Sequence, residues 1–487
     1  MKNKIFKNIL LLGSSQGITW SMTIAYTIFV PRFLGPEGLG LLAVGWSISS
    51  LVTVVASLGN GKFLLKEIAR NPEKAHKLVG AAVLINVLLG VLIWSGVLLA
   101  VNLFVTNSDL KTILLIIAIA NVINLSIGPL QTAMQGFEKM QYSLYDSLFS
   151  KGVYTSLCIF FVVMGFGAVA VASAALIITI PSALLNYWWF SQVSNLNLKP
   201  RRETIKEVVK GGMAFFVMDL TLQIYLYLDA LMLSVMTNET VLGYYNVPTR
   251  LFGTLMFVPM IIGNAILPAL CRMAKEDPSN QVQMTRNTLN LFIAISFPIA
   301  TGTTVLAAPI ISLLYGKAFE PSVLVLITLA WCIIPTYLLI GIAQSLIAQD
   351  RQGLWAKINI VAACVNFVIN LVLITLTQNI WNNGAIGAGI TLLISEMVTT
   401  SIGLTLLSKG TLNRSSLMVL LRTIITTGVM ALVLWPVREL FFLIPIGVGI
   451  VVYGLVGIII GLIPLSYIRM ALSMPRQIFK RKLHAQG

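Results

Sequence analysis

Charge is scarce in this sequence. Of its 487 residues only 10% are Asp, Glu, Lys or Arg, while 57% are hydrophobic. Soluble domains carry about 25% charged and about 45–50% apolar residues, so this chain has no polar coat and falls outside the soluble class. Histidine is nearly missing: His76 and His484 both stand among basic residues. Cysteine is limited to Cys158, Cys271, Cys332 and Cys364, scattered through apolar stretches without a CxxC pair. These shortages leave neither a disulfide framework nor a ligand set for a metal. No Gly-rich loop ends in Lys-Ser or Lys-Thr, so nothing cradles nucleotide phosphates, and neither direct ATP drive nor a cofactor is expected.

What is present in excess is long apolar sequence. At about 35 residues per span with its loop, this length holds roughly fourteen helices of about 20 apolar residues. Runs bounded by charges or by Gly/Pro clusters place them at 9–30, 39–59, 78–104, 112–135, 142–164, 168–191, 211–236, 241–270, 287–312, 322–348, 354–376, 384–407, 416–436 and 441–466. A short interfacial piece is expected around Ser312 to Phe319. The start, Met1 to Lys7, is basic like a signal peptide. Ile9 to Val30 stays apolar with no small-residue cleavage site, so a retained first helix is expected.

Basic residues outnumber acidic ones, 33 to 17, for a net charge of +16. In a soluble protein such an excess would suggest nucleic acid; here it marks cytoplasmic loops. With the N-terminus inside, 26 of the 33 basic residues fall in inner segments, and only Arg32, Lys111, Lys317 and Arg438 fall outside. Lys151, Arg250 and Arg422 lie within spans. The expected topology is a multi-pass cell-membrane protein with both termini cytoplasmic.

Three pairs of segments resemble each other at offsets of 202 to 217 residues. Leu34-Gly35-Pro36-Glu37-Gly38-Leu39-Gly40 is echoed, with one insertion, by Met236-Thr237-Asn238-Glu239-Thr240-Val241-Leu242-Gly243. Gln135-Gly136-Phe137-Glu138-Lys139 is echoed by Ile347-Ala348-Gln349-Asp350-Arg351, an acid and a base after a helix in both. Gly167-Ala168-Val169 is echoed by Gly384-Ala385-Ile386. The pairs follow helices 1 and 7, follow 4 and 10, and open 6 and 12. The predicted architecture is therefore all-α: a six-helix lobe (1–192), a basic linker (193–210), a similar lobe (211–408), and two extra helices with a basic tail (409–487). Six is even, so the repeats are parallel, about an axis along the membrane normal. In transporters that arrangement puts the substrate path between the lobes.

The pattern Pro31-Arg32-Phe33-Leu34-Gly35-Pro36-Glu37-Gly38-Leu39-Gly40 resembles a known group, as does Asp229-Ala230-Leu231-Met232-Leu233 followed by Val241-Leu242-Gly243-Tyr244-Tyr245-Asn246-Val247. Across nearly its whole length the chain is similar to the polysaccharide (oligosaccharide) flippase family of the multidrug/oligosaccharidyl-lipid/polysaccharide exporter superfamily. The resemblance implies a V-shaped, two-lobed carrier working by alternating access. It implies a cargo of polyprenyl-phosphate- or diphosphate-linked oligosaccharide, moved from the inner to the outer leaflet and driven by an ion gradient.

Ionisable groups inside spans are costly unless they meet a partner or water, so they are the candidate site residues. Asp219 and Asp229 share helix 7, about 15 Å apart along its axis and roughly 80° apart around it. Arg250 on helix 8 is at a depth to meet Asp229, as a structural pair or in a cavity. No basic residue is evident at the level of Asp219. Glu396, near the middle of helix 12 and followed by Thr399 and Thr400, is the most expensive carboxylate. Asp219, Asp229 and Glu396 are the candidate proton or Na⁺ sites. Lys151 on helix 5 is a candidate, with Arg250, for holding an anionic head group; it could also pair with Asp146 or snorkel. Arg422 is expected to snorkel. Buried amides such as Asn86, Asn121, Asn124, Asn186 and Asn370 either glue helices or line a cavity. Gly457-xxx-Gly461 is expected to pack helices.

Three other classes compete. A multidrug or cation exporter of the same superfamily would want an acidic cavity. A membrane-embedded glycosyl polymerase or ligase needs catalytic groups on a sizeable outer loop, and no outer loop exceeds about fifteen residues. A channel is disfavoured by the repeat. The chain is expected not to be an enzyme.

Overall fold

A computed structural model describes residues 2–441 and 443–462, without the side chains of residues 2–18, 20, 222 and 275. Every regular element among the described residues is helical. They are α1 (Lys2–Ser57), α2 (Asn60–Arg70), α3 (Ala75–Phe104), α4 (Ser108–Gly136), α5 (Met140–Val163), α6 (Ala168–Ser191), α7 (Arg202–Met236) and α8 (Glu239–Leu255). There follow α9 (Phe257–Glu276), α10 (Pro278–Val305), α11 (Ala307–Tyr315), α12 (Ser322–Ala348), α13 (Gln352–Trp381), α14 (Gly384–Leu406), α15 (Arg414–Val437) and α16 (Leu443–Ile459). A bilayer offers no partner for exposed backbone groups, and a helix satisfies its own.

Among the described residues, eleven helices are long and apolar enough to cross a membrane, or twelve with the bent α7. The difference from fourteen has two local causes. Spans 1 and 2 run together as one 37-residue candidate, Ser21–Ser57, and Leu443–Ile459 is a shorter apolar helix. Gly35 still breaks α1 at φ 76° and ψ 173°, between Pro31 and Pro36, in backbone space essentially reserved for glycine. Other boundaries move. The basic loop after span 2 contains α2, and half of the expected linker 193–210 is the start of α7. The expected eighth span is one candidate, Glu239–Ala274, in which α8 and α9 meet at Met256 with helical dihedrals. The expected interfacial piece is α11 followed by a 3₁₀ turn, Lys317–Phe319. The basic tail from Arg469 to Lys482 lies outside the described residues.

The chain packs as two compact units. The first comprises Met1–Val247, Leu314–Phe319 and Asn370–Ala385; the second comprises Pro248–Leu313, Glu320–Ile369 and Ile386–Gly487. Helix α7 packs on α1, α2 and α3. The close approach has a sequence cause: a Cβ at Gly59 would stand 2.3 Å from the Phe216 amide nitrogen, and one at Gly212 would stand 2.4 Å from the Leu58 carbonyl oxygen. Within the first unit, Trp94 Nε1 donates to Asn121 Oδ1 at 2.9 Å, and Asn121 Nδ2 donates to the hydroxyls of Ser49 and Thr53 at 2.8 Å each. Asn60 donates to Asn86, which donates to the Leu125 carbonyl. Asn86 and Asn121 are thus helix glue. In the second unit Phe292, Ile333 and Tyr337 form a buried apolar cluster.

The three pairs of similar segments share backbone detail. In the first pair, a Cβ at Gly40 would stand 1.7 Å from the Glu239 carbonyl oxygen, and one at Gly243 would stand 1.9 Å from that of Pro36. Each glycine therefore lies against the main chain of the other's segment. In the second pair, Glu138 and Asp350 both hold φ 58°. Both helices end alike: Lys139 N donates to Met134 O and Arg351 N to Leu346 O, at 2.9 Å in each case, the 6→1 bond of a Schellman cap. In the third pair, Gly165 and Asn382, each two residues before the matched glycine, both have positive φ.

Candidate functional site

Inside the first unit α4, α5 and α6 each carry a polar or small stripe at helical spacing, and the stripes face one cavity. On α5 it is Ser143, Asp146, Ser147, Ser150, Lys151 and Tyr154; on α4, Asn124, Gly128 and Gln131; on α6, Thr179 and Ser182. Trp46 of α1 completes the wall, and the cavity measures about 460 Å³. Residues at i, i+3, i+4 and i+7 lie on one helix face, so the local sequence aims them together.

Asp146 is the polar centre, with 6% of its surface exposed. Its Oδ2 accepts from Gln131 Nε2 at 2.7 Å, and its Oδ1 accepts from Ser182 Oγ at 2.7 Å and Asn186 Nδ2 at 2.9 Å. These neutral donors hold the carboxylate, and no ion pair among the described residues joins it to Lys151. Lys151 is exposed and stands in the cavity lining. At the aromatic side, the Trp46 and Tyr154 rings meet edge to face at 6.4 Å and 89°. The hydroxyl oxygens of Ser143 and Ser150 are buried without a hydrogen-bond partner among the described residues.

The other candidates lie on α7, α8 and α14. Asp219 is not without a basic neighbour, as its level in the sequence suggested: Lys62 of α2 forms a salt bridge with it, the two side chains being 46% and 30% exposed. Lys62 falls between the expected spans 39–59 and 78–104, where no helix is expected and the structure has α2. Asp229, beyond the 45° bend in α7, is buried and accepts from Tyr245 Oη at 2.8 Å and Asn370 Nδ2 at 2.6 Å. Arg250 is half-buried on α8, just past Pro248, where the second unit begins. Glu396 is buried on α14 and accepts from Thr336 Oγ1 of α12 at 3.1 Å. One turn on, Thr400 Oγ1 donates to the Pro335 carbonyl at 3.2 Å.

One expectation on the last helices changes. Gly461 lies past the end of α16 at φ 72°, and Leu462 N donates to Gly457 O at 2.8 Å. Gly457 and Gly461 therefore build a Schellman cap, not a packing stripe. Arg422 Nη1 donates to the Gly461 carbonyl at 2.7 Å, capping α16. Beside these helices a second cavity, of about 590 Å³, lies between α10, α15 and α16. Its wall includes Ile295, Ile299, Leu306, Met430, Leu434 and Ile450, which suits hydrocarbon and not a hydrated group. Sequence reasoning missed the site around Asp146, although the stripe on α5 was visible in its spacing.

Residues 5–274 match a family described as polysaccharide biosynthesis protein. A Haloferax volcanii protein named as a flippase of low-salt glycan biosynthesis, Agl15, is 21% identical over 214 residues, 44% of this chain and 44% of that relative. The chain thus spans less than half of that relative's length. An Escherichia coli K12 protein that carries the name of an O-antigen transporter is 20% identical over 415 residues, 82% of this chain and 96% of that protein. The lipid II flippase MurJ, in an inward closed conformation, superposes with a TM-score of 0.71 at 14% identity, covering 93% of this chain and 98% of that one. At that identity the likeness shows the fold.

Proposed function

The chain belongs to the polysaccharide biosynthesis protein family, and on that premise we propose that it is a flippase for a lipid-linked oligosaccharide. The cargo is a glycan on a polyprenyl phosphate or diphosphate, carried from the inner to the outer leaflet of the cell membrane. The reading is carried by one observation: a chain with almost no charge to spare lines a cavity between apolar helices with hydroxyls, amides, Asp146 and the Lys151 ammonium. A head group that crosses a bilayer needs such a surface. A cation exporter would meet Lys151 there and be repelled.

The mechanism is alternating access between two six-helix repeats with two further helices, both termini cytoplasmic. The shared φ angles and caps of Glu138 and Asp350 support the repeat. The reciprocal seating of Gly40 and Gly243 supports a two-fold axis between the segments, which the basic bias puts at the outer face. Lys151 holds the anionic head group in the cavity of the first unit, and Arg250 is a separate candidate in the second unit. Asp229 and Glu396 bind the coupling proton or Na⁺, since both are buried carboxylates among hydroxyl and amide groups. Asp219, with Lys62 against it, joins them only if that pair opens. Neutralising a buried carboxylate lowers the cost of closing the site around it, and a gradient biases the carrier only through such a difference between states.

Lys151→Ala tests the head-group assignment. Losing a charge-assisted contact of about 1.5–3 kcal/mol should weaken binding of polyprenyl-diphosphate glycan roughly tenfold or more. Unchanged binding to the purified variant in nanodiscs would remove Lys151 from the site.

A further inference from the structure

We propose that the cavity around Asp146 is a sugar subsite, taking the sugar ring joined directly to the phosphate of the carrier lipid, with Lys151 at that phosphate. The inference rests on the flippase reading and deepens it.

The cavity has two chemically distinct sides. One is the corner made by the perpendicular Trp46 and Tyr154 rings. Aromatic faces carry negative charge density and favour the slightly positive C–H face of a sugar ring. The other side is a set of short hydrogen-bonding groups on the stripes of α4, α5 and α6. A sugar ring has this same division, an apolar C–H face bordered by hydroxyls that both donate and accept.

The polar side still has capacity. Asp146 receives three donors, whereas a carboxylate offers about four lone-pair sites. The Ser143 and Ser150 hydroxyls are buried and unpartnered, a costly state unless something fills it. The volume, about 460 Å³, falls in the range of about 300–1,000 Å³ that holds small organic ligands, enough for a ring and its substituents.

The charge pattern selects among guests. An apolar guest would strand the hydroxyls. A bare cation at Asp146 would face the N–H groups of Gln131 and Asn186, which already point at the carboxylate. A neutral sugar continuing into a phosphate meets every group with its complement, because Lys151 follows Ser147 by one turn on the same face of α5.

The test measures binding of three probes to the full-length protein in nanodiscs: polyprenyl diphosphate, and the same lipid carrying one glucose or one N-acetylglucosamine. At least one glycosylated probe should bind about tenfold more tightly than the bare lipid. Trp46→Leu and Ser147→Ala should each collapse that ratio toward unity, and Trp46→Phe should restore part of it. Ser147→Ala keeps the test decisive if the Trp46 variants fold poorly. Equal binding of all three probes by the wild-type protein would overturn the subsite and leave the flippase reading standing. A preference that survives both Trp46→Leu and Ser147→Ala would also overturn it. Binding of none of the three would overturn both readings.

Discussion

Asn121 shows what single residues do inside this protein. Its side chain receives the Trp94 indole N–H and donates to Ser49 and Thr53, tying α1, α3 and α4 together. In Asn121→Ala the Trp94 N–H loses its partner in a buried place, at a cost of about 1–3 kcal/mol. The thermal midpoint of the purified protein should fall while cargo binding persists; an unchanged midpoint would deny the network a structural role. The acids behave differently from one another. Asp219 finds Lys62, whereas Asp146, Asp229 and Glu396 are buried and hydrogen-bonded by hydroxyls or amides. Single residues were the hardest scale to read from sequence, because each answer depends on a neighbour far along the chain. Ser182 and Asn186 reach Asp146 from α6, and no local pattern announces that meeting.

At the scale of elements the sequence was more legible, and its failures have local causes. Apolar runs located nearly every helix, since length and hydropathy are properties of contiguous residues. Boundaries slipped where a short amphipathic helix such as α2 sat in a basic loop. The stripe on α5 was in plain view at i, i+3, i+4 and i+7, but polar residues weighed one at a time do not reveal a face. Glycines in the repeated segments give a prediction. Neither Gly40 nor Gly243 has room for a side chain, since the carbonyls of Glu239 and Pro36 lie within 2 Å of an added Cβ. Gly40→Val or Gly243→Val should therefore part the two segments. A cysteine placed at Leu242, which is fully buried, should react with a membrane-impermeant thiol reagent only in that background. Equal reactivity with and without the valine would show that the segments part freely without help.

At the scale of the whole molecule the distribution of charge carries the proposed topology. Twenty-six of 33 basic residues fall on one predicted side, and helix ends assigned to that side meet in the structure. Gln349, at the end of α12, donates to Gln281 of α10 and to Ser408 beyond α14. Arg286 of α10 donates to the Gly410 and Thr411 carbonyls. A cytoplasm-only reporter fused at Gly410 should therefore be active and one at Asn382 silent; the reverse would invert the orientation. The central claim, that the chain carries a lipid-linked glycan across the bilayer on an ion gradient, is tested most directly in proteoliposomes. A fluorescent polyprenyl-diphosphate glycan is placed in one leaflet, a proton or Na⁺ gradient is imposed, and its arrival in the other leaflet is followed by quenching. The account predicts gradient-dependent translocation by the wild-type protein. It predicts loss of the gradient response, with lipid binding retained, in Asp229→Asn and Glu396→Gln. Translocation no faster than in protein-free vesicles under either gradient would contradict it.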